Sequence, residues 1–302
     1  MNATLSVTPG ELDVEALTQP GRDLEPYLSR VLDQRPLPVN LREAARYALL
    51  GPGKRLRPIL VIRSCEAVGT PGVAAYAAAA AIEMVHCFSL VHDDLPAMDD
   101  DDLRRGRPTL HRHTNEAMAI LAGDLLSSLA FEHLAAAAPA GVALQLVREL
   151  AQATNDMIAG QVYDTLPDFP ADTAPLKRLE TVHRHKTGAL IRCACRMGAI
   201  AGGATAAQLE ALTLYAESIG LMFQVIDDLL DVTQSTEHLG KAAGKDASRG
   251  KLTYPGLLGV EESRREVDRL LKASLEALAS LPGREGARRL AELAQYMAVR
   301  TR

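Results

Sequence analysis

The chain has 302 residues, of which 47% are hydrophobic and 4% aromatic with no Trp, and its formal net charge is −5. Abundant Ala and Leu with so few aromatic residues favour helix over strand. Charges of both signs are mixed along the chain, which excludes the basic face that nucleic-acid binding requires.

Proline and glycine divide the chain into a run of helices. Residues 1–20 are polar, with Pro9-Gly10 and Pro20-Gly21, and are expected to form a loose N-terminal arm. Helices are expected at 24–32, 41–49, 57–68, 73–95, 116–137, 142–163, 176–201, 206–232, 257–281 and 286–299. There is no alternating β-branched run, no hairpin signal and no internal repeat, so one all-α domain spanning 1–302 is expected. The Ala-rich stretch at 73–85 contains Tyr76 and Glu83 and is too short for a membrane span. The four cysteines (Cys65, Cys87, Cys193, Cys195) read as reduced, buried thiols. No signal peptide is evident at the N-terminus, so a soluble, cytoplasmic protein is expected.

Two aspartate clusters stand out in this apolar background. The first is Asp93-Asp94 followed by Asp99 to Asp102, with Arg104, Arg105 and Arg107 just behind; the second is Asp227-Asp228-Leu-Leu-Asp231. Carboxylates this close repel by roughly 1–4 kcal/mol per pair. A hard divalent cation offsets that repulsion, and Mg²⁺ typically takes one or two carboxylates together with substrate phosphates. Asp227 and Asp231 lie one turn apart on the same helical face. In an ideal helix Asp100 is a better partner for Asp93 than Asp99 is, but Pro96 ends or kinks the helix between them, so spacing leaves the choice open. Counted from Asp94 or Asp99, the first cluster lacks the glycine and glutamate of an EF-hand loop.

Cations are distributed around these clusters. Lys54 and Arg57 lie in Gly51-Pro-Gly-Lys-Arg-Leu-Arg-Pro58, which lacks the spacing of a phosphate-binding P-loop. His86 precedes Asp93 by two helical turns on the same face, and Lys186-Thr187 falls within the expected 176–201 helix. A loop at 233–255 carries Lys241, Lys245, Arg249 and Lys251, and it reads as a segment that covers phosphate. Anionic groups beside apolar helices suit a substrate with a diphosphate head and a hydrocarbon tail.

The motifs GPGKRLRP, DDLPAMDDDDLRRGRPT, HRHKTGALI, QVIDDLLD and LGKAAGKDASRGKLTYPGLL, in that combination and chain order, resemble the trans-polyprenyl diphosphate synthases. The similarity is strongest to the bacterial short-chain members that make farnesyl or geranylgeranyl diphosphate, and it runs from about Leu41 to the C-terminus. The resemblance implies an isoprenoid synthase-type helical bundle around a deep central cavity. It also implies a homodimer and a Mg²⁺-dependent condensation of isopentenyl diphosphate with an allylic diphosphate (dimethylallyl or geranyl). By the same resemblance Asp93, Asp94, Asp99, Asp227, Asp228 and Asp231 hold the metal. Arg104, Lys186, Lys241 and Lys251 contact the allylic diphosphate, while Lys54, Arg57, His86 and Arg105 contact isopentenyl diphosphate. Thr187 and Gln224 turn their oxygens to the developing carbocation. Gln161 and Asp164 match a GQxxD element supporting the metal and allylic site, although Tyr163 stands where an aliphatic residue is commoner.

Residues just before the first motif limit tail growth in this family, which singles out Phe88 and Ser89. A bulky Phe88 one and a half turns before Asp93 favours a fifteen-carbon product, farnesyl diphosphate, with the twenty-carbon geranylgeranyl diphosphate as the alternative. Two other classes share parts of the pattern. A class I terpene cyclase has a different second metal motif and needs no isopentenyl diphosphate. A non-catalytic regulatory subunit tends to lose aspartates, and all are present here.

Overall fold

The computed structural model describes residues 13–233 and 251–299. The helices are α1 (Val14–Asp33), α2 (Val39–Leu49), α3 (Leu56–Ala67), α4 (Tyr76–Asp93), α5 (Leu110–His113), α6 (Glu116–Ala137), α7 (Ala140–Thr165), α8 (Pro175–Val182), α9 (Ala189–Ala201), α10 (Ala206–Thr233), α11 (Tyr254–Leu258), α12 (Val260–Leu278) and α13 (Arg284–Val299). All four cysteines are buried and free.

The bundle is organised around α4 and α10. Helix α4 packs on α6, α3 and α9, and α10 packs on α12 and α9. Both central helices are apolar nearly all round because both are enclosed. By length and composition Gly72–Asp93, Glu116–Ala137 and Ala206–Val232 could each cross a bilayer, but 61% of the apolar window is buried inside the protein in the first and last. The apolar helix is thus longer than the stretch at 73–85 suggested. In the α6 window 44% is buried, and Ile120 and Leu121 are exposed.

Four local expectations are corrected. The loose arm of residues 1–20 does not reach Pro20: α1 begins at Val14, where the Asp13 side chain accepts the Ala16 amide at 3.0 Å. Pro20 sits inside this helix because the Ala16 carbonyl, which a residue at position 20 would normally satisfy, accepts from Arg63 Nη2 at 2.7 Å instead. Residues 1–12 lie outside the described residues. A short hairpin, overlooked in the sequence, pairs Leu103–Arg104 (β1) with Arg107–Pro108 (β2). Its two turn residues, Arg105 and Gly106, have φ of 52° and 75°, the left-handed pair that two-residue hairpins demand.

The expected helix 176–201 is interrupted by a π-helical turn, His183–Gly188, and the expected helix 257–281 breaks at Gly259, with φ +83°. Most of the expected 233–255 loop, including Lys241, lies outside the described residues, and α11 occupies its end.

Candidate active site

The first aspartate cluster is shaped by the end of α4. After Asp93 the chain turns, and the Asp99 amide donates to the Asp93 carbonyl at 2.8 Å. Asp99 therefore comes back beside Asp93 and raises its proton affinity, whereas Asp100 is exposed with φ +51°. Spacing left these two open; the turn brings Asp99 rather than Asp100 back to Asp93. Burial pushes the Asp93 carboxyl up to about 6, against the pull of Lys186. Asp94 is buried and accepts from Arg104 Nε at 2.8 and 2.9 Å and from Nη2 at 2.6 Å. Burial still outweighs this bridge and raises the Asp94 carboxyl.

Facing Asp93 is the π-helical turn, which carries Lys186 and Thr187. Wide turns of this kind occur frequently at functional sites because they shift side-chain register within a helix. Here two glycines let neighbouring helices approach it. A Cβ at Gly160 of α7 would overlap the Lys186 backbone, and one at Gly220 of α10 would lie 3.3 Å from Gly188 Cα. One turn beyond Gly160, Asp164 accepts from Lys186 Nζ at 2.7 Å and from Lys251 Nζ at 2.8 Å. Burial pushes the Asp164 carboxyl up, but the two ammonium groups more than reverse this and leave it below the ordinary range. One turn beyond Gly220 comes Gln224, on the face of α10 turned to the π-turn, and Asp227 and Asp231 continue the same stripe.

Asp228 points elsewhere. It is buried, accepts the Tyr254 amide at 2.9 Å, and has His183 Nε2 at 3.9 Å from its Oδ1. Burial lowers His183 to about 4, so this histidine is neutral, and its ring stacks on Tyr254 with centroids 5.8 Å apart. Neither His183 nor Tyr254 was singled out in the sequence. Each lies inside a motif quoted for other residues, HRHKTGALI and LGKAAGKDASRGKLTYPGLL, with nothing in the spacing to mark it.

A second group of cations lies toward the start of α4. His86 is held well below its ordinary value by burial and by Arg57, Arg105, Arg104 and Arg55, which places it among arginines as a neutral imidazole. Burial likewise lowers Arg57 to about 10, and its Nε has no hydrogen-bond partner. Arg105 Nη1 donates to the Pro52 carbonyl at 2.7 Å, so the hairpin turn rests on the 51–55 loop; Lys54 on that loop is exposed. The structure thus brings Arg57, His86 and Arg105 together, with Lys54 at their edge.

Phe88 does not share the Asp93 face. About 140° away around the helix, its ring lies edge-on to His92 with centroids 5.7 Å apart, and His92 Nε2 lies 3.1 Å from the Ile120 carbonyl of α6. Phe88 is therefore packed on the α6 side of α4. Ser89 is the small residue on the Asp93 face, and its hydroxyl donates to the His86 carbonyl at 2.9 Å.

The described donors suit a hard divalent cation. They are carboxylate oxygens at the C-terminal ends of α4 and α10; on α7, next to Gly160, the Gln161 amide has both Oε1 and Nε2 buried without partners. No three His, Cys, Asp or Glu side chains among the described residues converge into a ready-made metal centre. That arrangement fits an ion which takes one or two carboxylates and completes its shell with substrate phosphates.

The polyprenyl synthetase family profile matches residues 38–282. The chain belongs to this family. It is 49% identical over 270 residues to geranylgeranyl pyrophosphate synthase 11, chloroplastic, of Arabidopsis thaliana, covering 87% of this chain and 75% of that one. It is 46% identical over 268 residues to the chloroplastic geranylgeranyl pyrophosphate synthase of Catharanthus roseus, covering 87% and 74%. Among solved structures, an FPP/GFPP synthase from Zymomonas mobilis superposes with a TM-score of 0.82 at 34% identity, covering 94% of this chain and 98% of that one. Geranylgeranyl pyrophosphate synthetase from Pyrococcus horikoshii gives 0.84 at 30%, covering 94% and 97%. The helical bundle is thus the isoprenoid synthase fold, and the chain is a prenyltransferase of the prenyl diphosphate synthase type.

Proposed function

We propose that this prenyl diphosphate synthase extends an allylic diphosphate with isopentenyl diphosphate as far as the twenty-carbon product, geranylgeranyl diphosphate. The observation that carries the reading is the presence of two cation groups on either side of Asp93. Arg104, Lys186 and Lys251 are bridged to carboxylates, while Arg57 and Arg105 form a separate group around the neutral His86, with Lys54 at its edge. Two such groups match two diphosphates, one on each substrate; a cyclase would need only the first.

In this reading the allylic diphosphate lies between the aspartate motifs, where Asp93, Asp94, Asp99, Asp227 and Asp231 would hold Mg²⁺, while Asp228 anchors the second motif from within. The metal, when bound, supplies Lewis-acid stabilisation of the departing diphosphate. Lys186, Lys251 and Arg104 exchange their carboxylate partners for phosphate oxygens and take up charge as the allylic C–O bond breaks. Thr187 and Gln224 present oxygens to the carbocation. Lys54, Arg57, His86 and Arg105 orient isopentenyl diphosphate so that its double bond attacks the cation. A proton then leaves the adjacent carbon for the released diphosphate, and the new double bond forms. The half-buried setting of Asp93, Lys186 and Gln224 limits water, which would quench the cation.

Product length rests on two supports. The relatives named above as geranylgeranyl synthases are nearly half identical to this chain. Phe88, the residue that favoured a fifteen-carbon product, packs toward α6, and small Ser89 occupies the Asp93 face. The test is incubation of geranyl diphosphate and Mg²⁺ with and without labelled isopentenyl diphosphate. Label incorporated into longer diphosphates is expected; a cyclic hydrocarbon released from the primer alone would contradict the reading.

A further inference from the structure

Arg55 and Glu83 form an ion pair that the assignments above leave without a role. Each side chain is 3% exposed, and Arg55 Nη1 meets Glu83 Oε1 at 3.0 Å. Removing one partner of such a pair leaves an uncompensated buried charge, so the pair is strongly constrained. Its surroundings tie it to the loop that carries Lys54. Arg55 Nη2 donates to the Gly51 carbonyl at 2.8 Å and lies 3.6 Å from Glu25 of α1. A Cβ on Gly21 of α1 would fall 2.8 Å from Arg55 Cβ, so α1 closes over the residue. Arg55 itself is left-handed, with φ +50°, a conformation unfavourable for a side-chain-bearing residue and kept here by what surrounds it.

That geometry links the pair to each member of the second group. The left-handed step at Arg55 turns the chain from the exposed Lys54 into α3, where Arg57 follows two residues later. Glu83 raises the proton affinity of Arg57, and on α4 it lies one turn before His86. Arg105 rests on the carbonyl of Pro52 in the same loop. Glu83 Oε2 and Arg55 Nε are buried without partners, so the pair has not been assembled for the greatest number of hydrogen bonds.

We propose that Glu83 is a positioning residue for the diphosphate of isopentenyl diphosphate, acting through Arg55 to set the loop that presents Lys54 and Arg57 beside His86 and Arg105. This rests on the two-diphosphate reading of the site. The test is steady-state kinetics of Glu83→Gln with both substrates varied, alongside its melting temperature. The KM for isopentenyl diphosphate is expected to rise about tenfold or more, with the allylic KM within about twofold and kcat within about threefold. A double variant, Glu83→Leu with Arg55→Met, replaces the pair with apolar groups that a buried site tolerates. It is expected to melt close to the wild type while keeping the raised KM, and it carries the test if the single variant does not fold. An unchanged KM in Glu83→Gln, an equal rise for both substrates, or a double variant that recovers KM together with stability would overturn the proposal. A wild-type enzyme that does not consume isopentenyl diphosphate would instead overturn the two-diphosphate reading.

Discussion

The two aspartate motifs are built in opposite ways. In the first, Asp94 is held by Arg104, ten residues on, through a tight turn and a two-residue hairpin, so the motif is organised largely by its own segment. In the second, α10 runs straight through the motif. Asp228 is held from outside, by the Tyr254 amide 26 residues later and the nearby His183 ring, while Asp227 and Asp231 form a stripe with Gln224. A local motif forms when its own turn forms. A motif assembled from three separate segments depends on the whole bundle, and its aspartates divide between an inward anchor and a face turned to the π-turn.

The contrast is broken most severely within the second motif. Asp227→Ala is expected to lower kcat about a thousandfold with little change in melting temperature, as loss of electrostatic stabilisation at the reacting centre does. Asp228→Ala is expected to lower both, since it also orphans the buried Tyr254 amide. Equal melting temperatures for the two variants would remove the distinction between anchor and face.

The next effect belongs to the first motif and to pH. The folded-state value of Asp93 is raised from 3.8 to about 6, so the folded metal-free protein binds more protons than the unfolded chain between those values. The associated stability is fully present below about 4 and is lost as pH rises through about 6, in all about 3 kcal/mol. Denaturant midpoints of the metal-free wild type, relative to Asp93→Asn, should therefore fall across that window. A constant difference would contradict the burial of this carboxyl.

A smaller effect tests the long-range anchor. Tyr254→Pro removes the amide that Asp228 accepts, at the first position of α11 where proline is tolerated. Measured against Tyr254→Ala, which loses the same buried ring but keeps the amide, a further loss of about 2 kcal/mol is expected by chemical denaturation, because a buried carboxylate loses a donor. No loss would mean that the second motif stands without it. Smallest of all is Phe88→Leu, expected to cost about 1 kcal/mol with product length unchanged. Ser89→Tyr, on the face that matters, should shorten the product. A longer product from Phe88→Leu would restore Phe88 as the limiting residue.

How much of this was legible in the sequence followed the same division. Helices with apolar periodicity and clear breakers, such as those at 116–137 and 206–232, lie where the pattern placed them. The charged residues of the first motif were visible, but the return of Asp99 to Asp93 depends on backbone hydrogen bonds that spacing alone does not encode. The hairpin escaped notice because its signal is a two-residue Arg-Gly turn without flanking strands of useful length. The π-turn was hidden for a related reason: HRHKTG reads as ordinary helix, and its register shift is supported by glycines from two other helices, Gly160 and Gly220. His183, Tyr254 and the Arg55–Glu83 pair have meaning only once distant segments meet. Proximity in sequence to Asp93 singled out Phe88, whereas helical phase puts it about 140° away, on the side that packs toward α6.

The most direct measurement is the product made from farnesyl diphosphate, labelled isopentenyl diphosphate and Mg²⁺. A labelled twenty-carbon diphosphate is the predicted result. A farnesyl primer left unextended, with label from geranyl diphosphate accumulating at fifteen carbons, would contradict the proposed product and send the length limit back to α4.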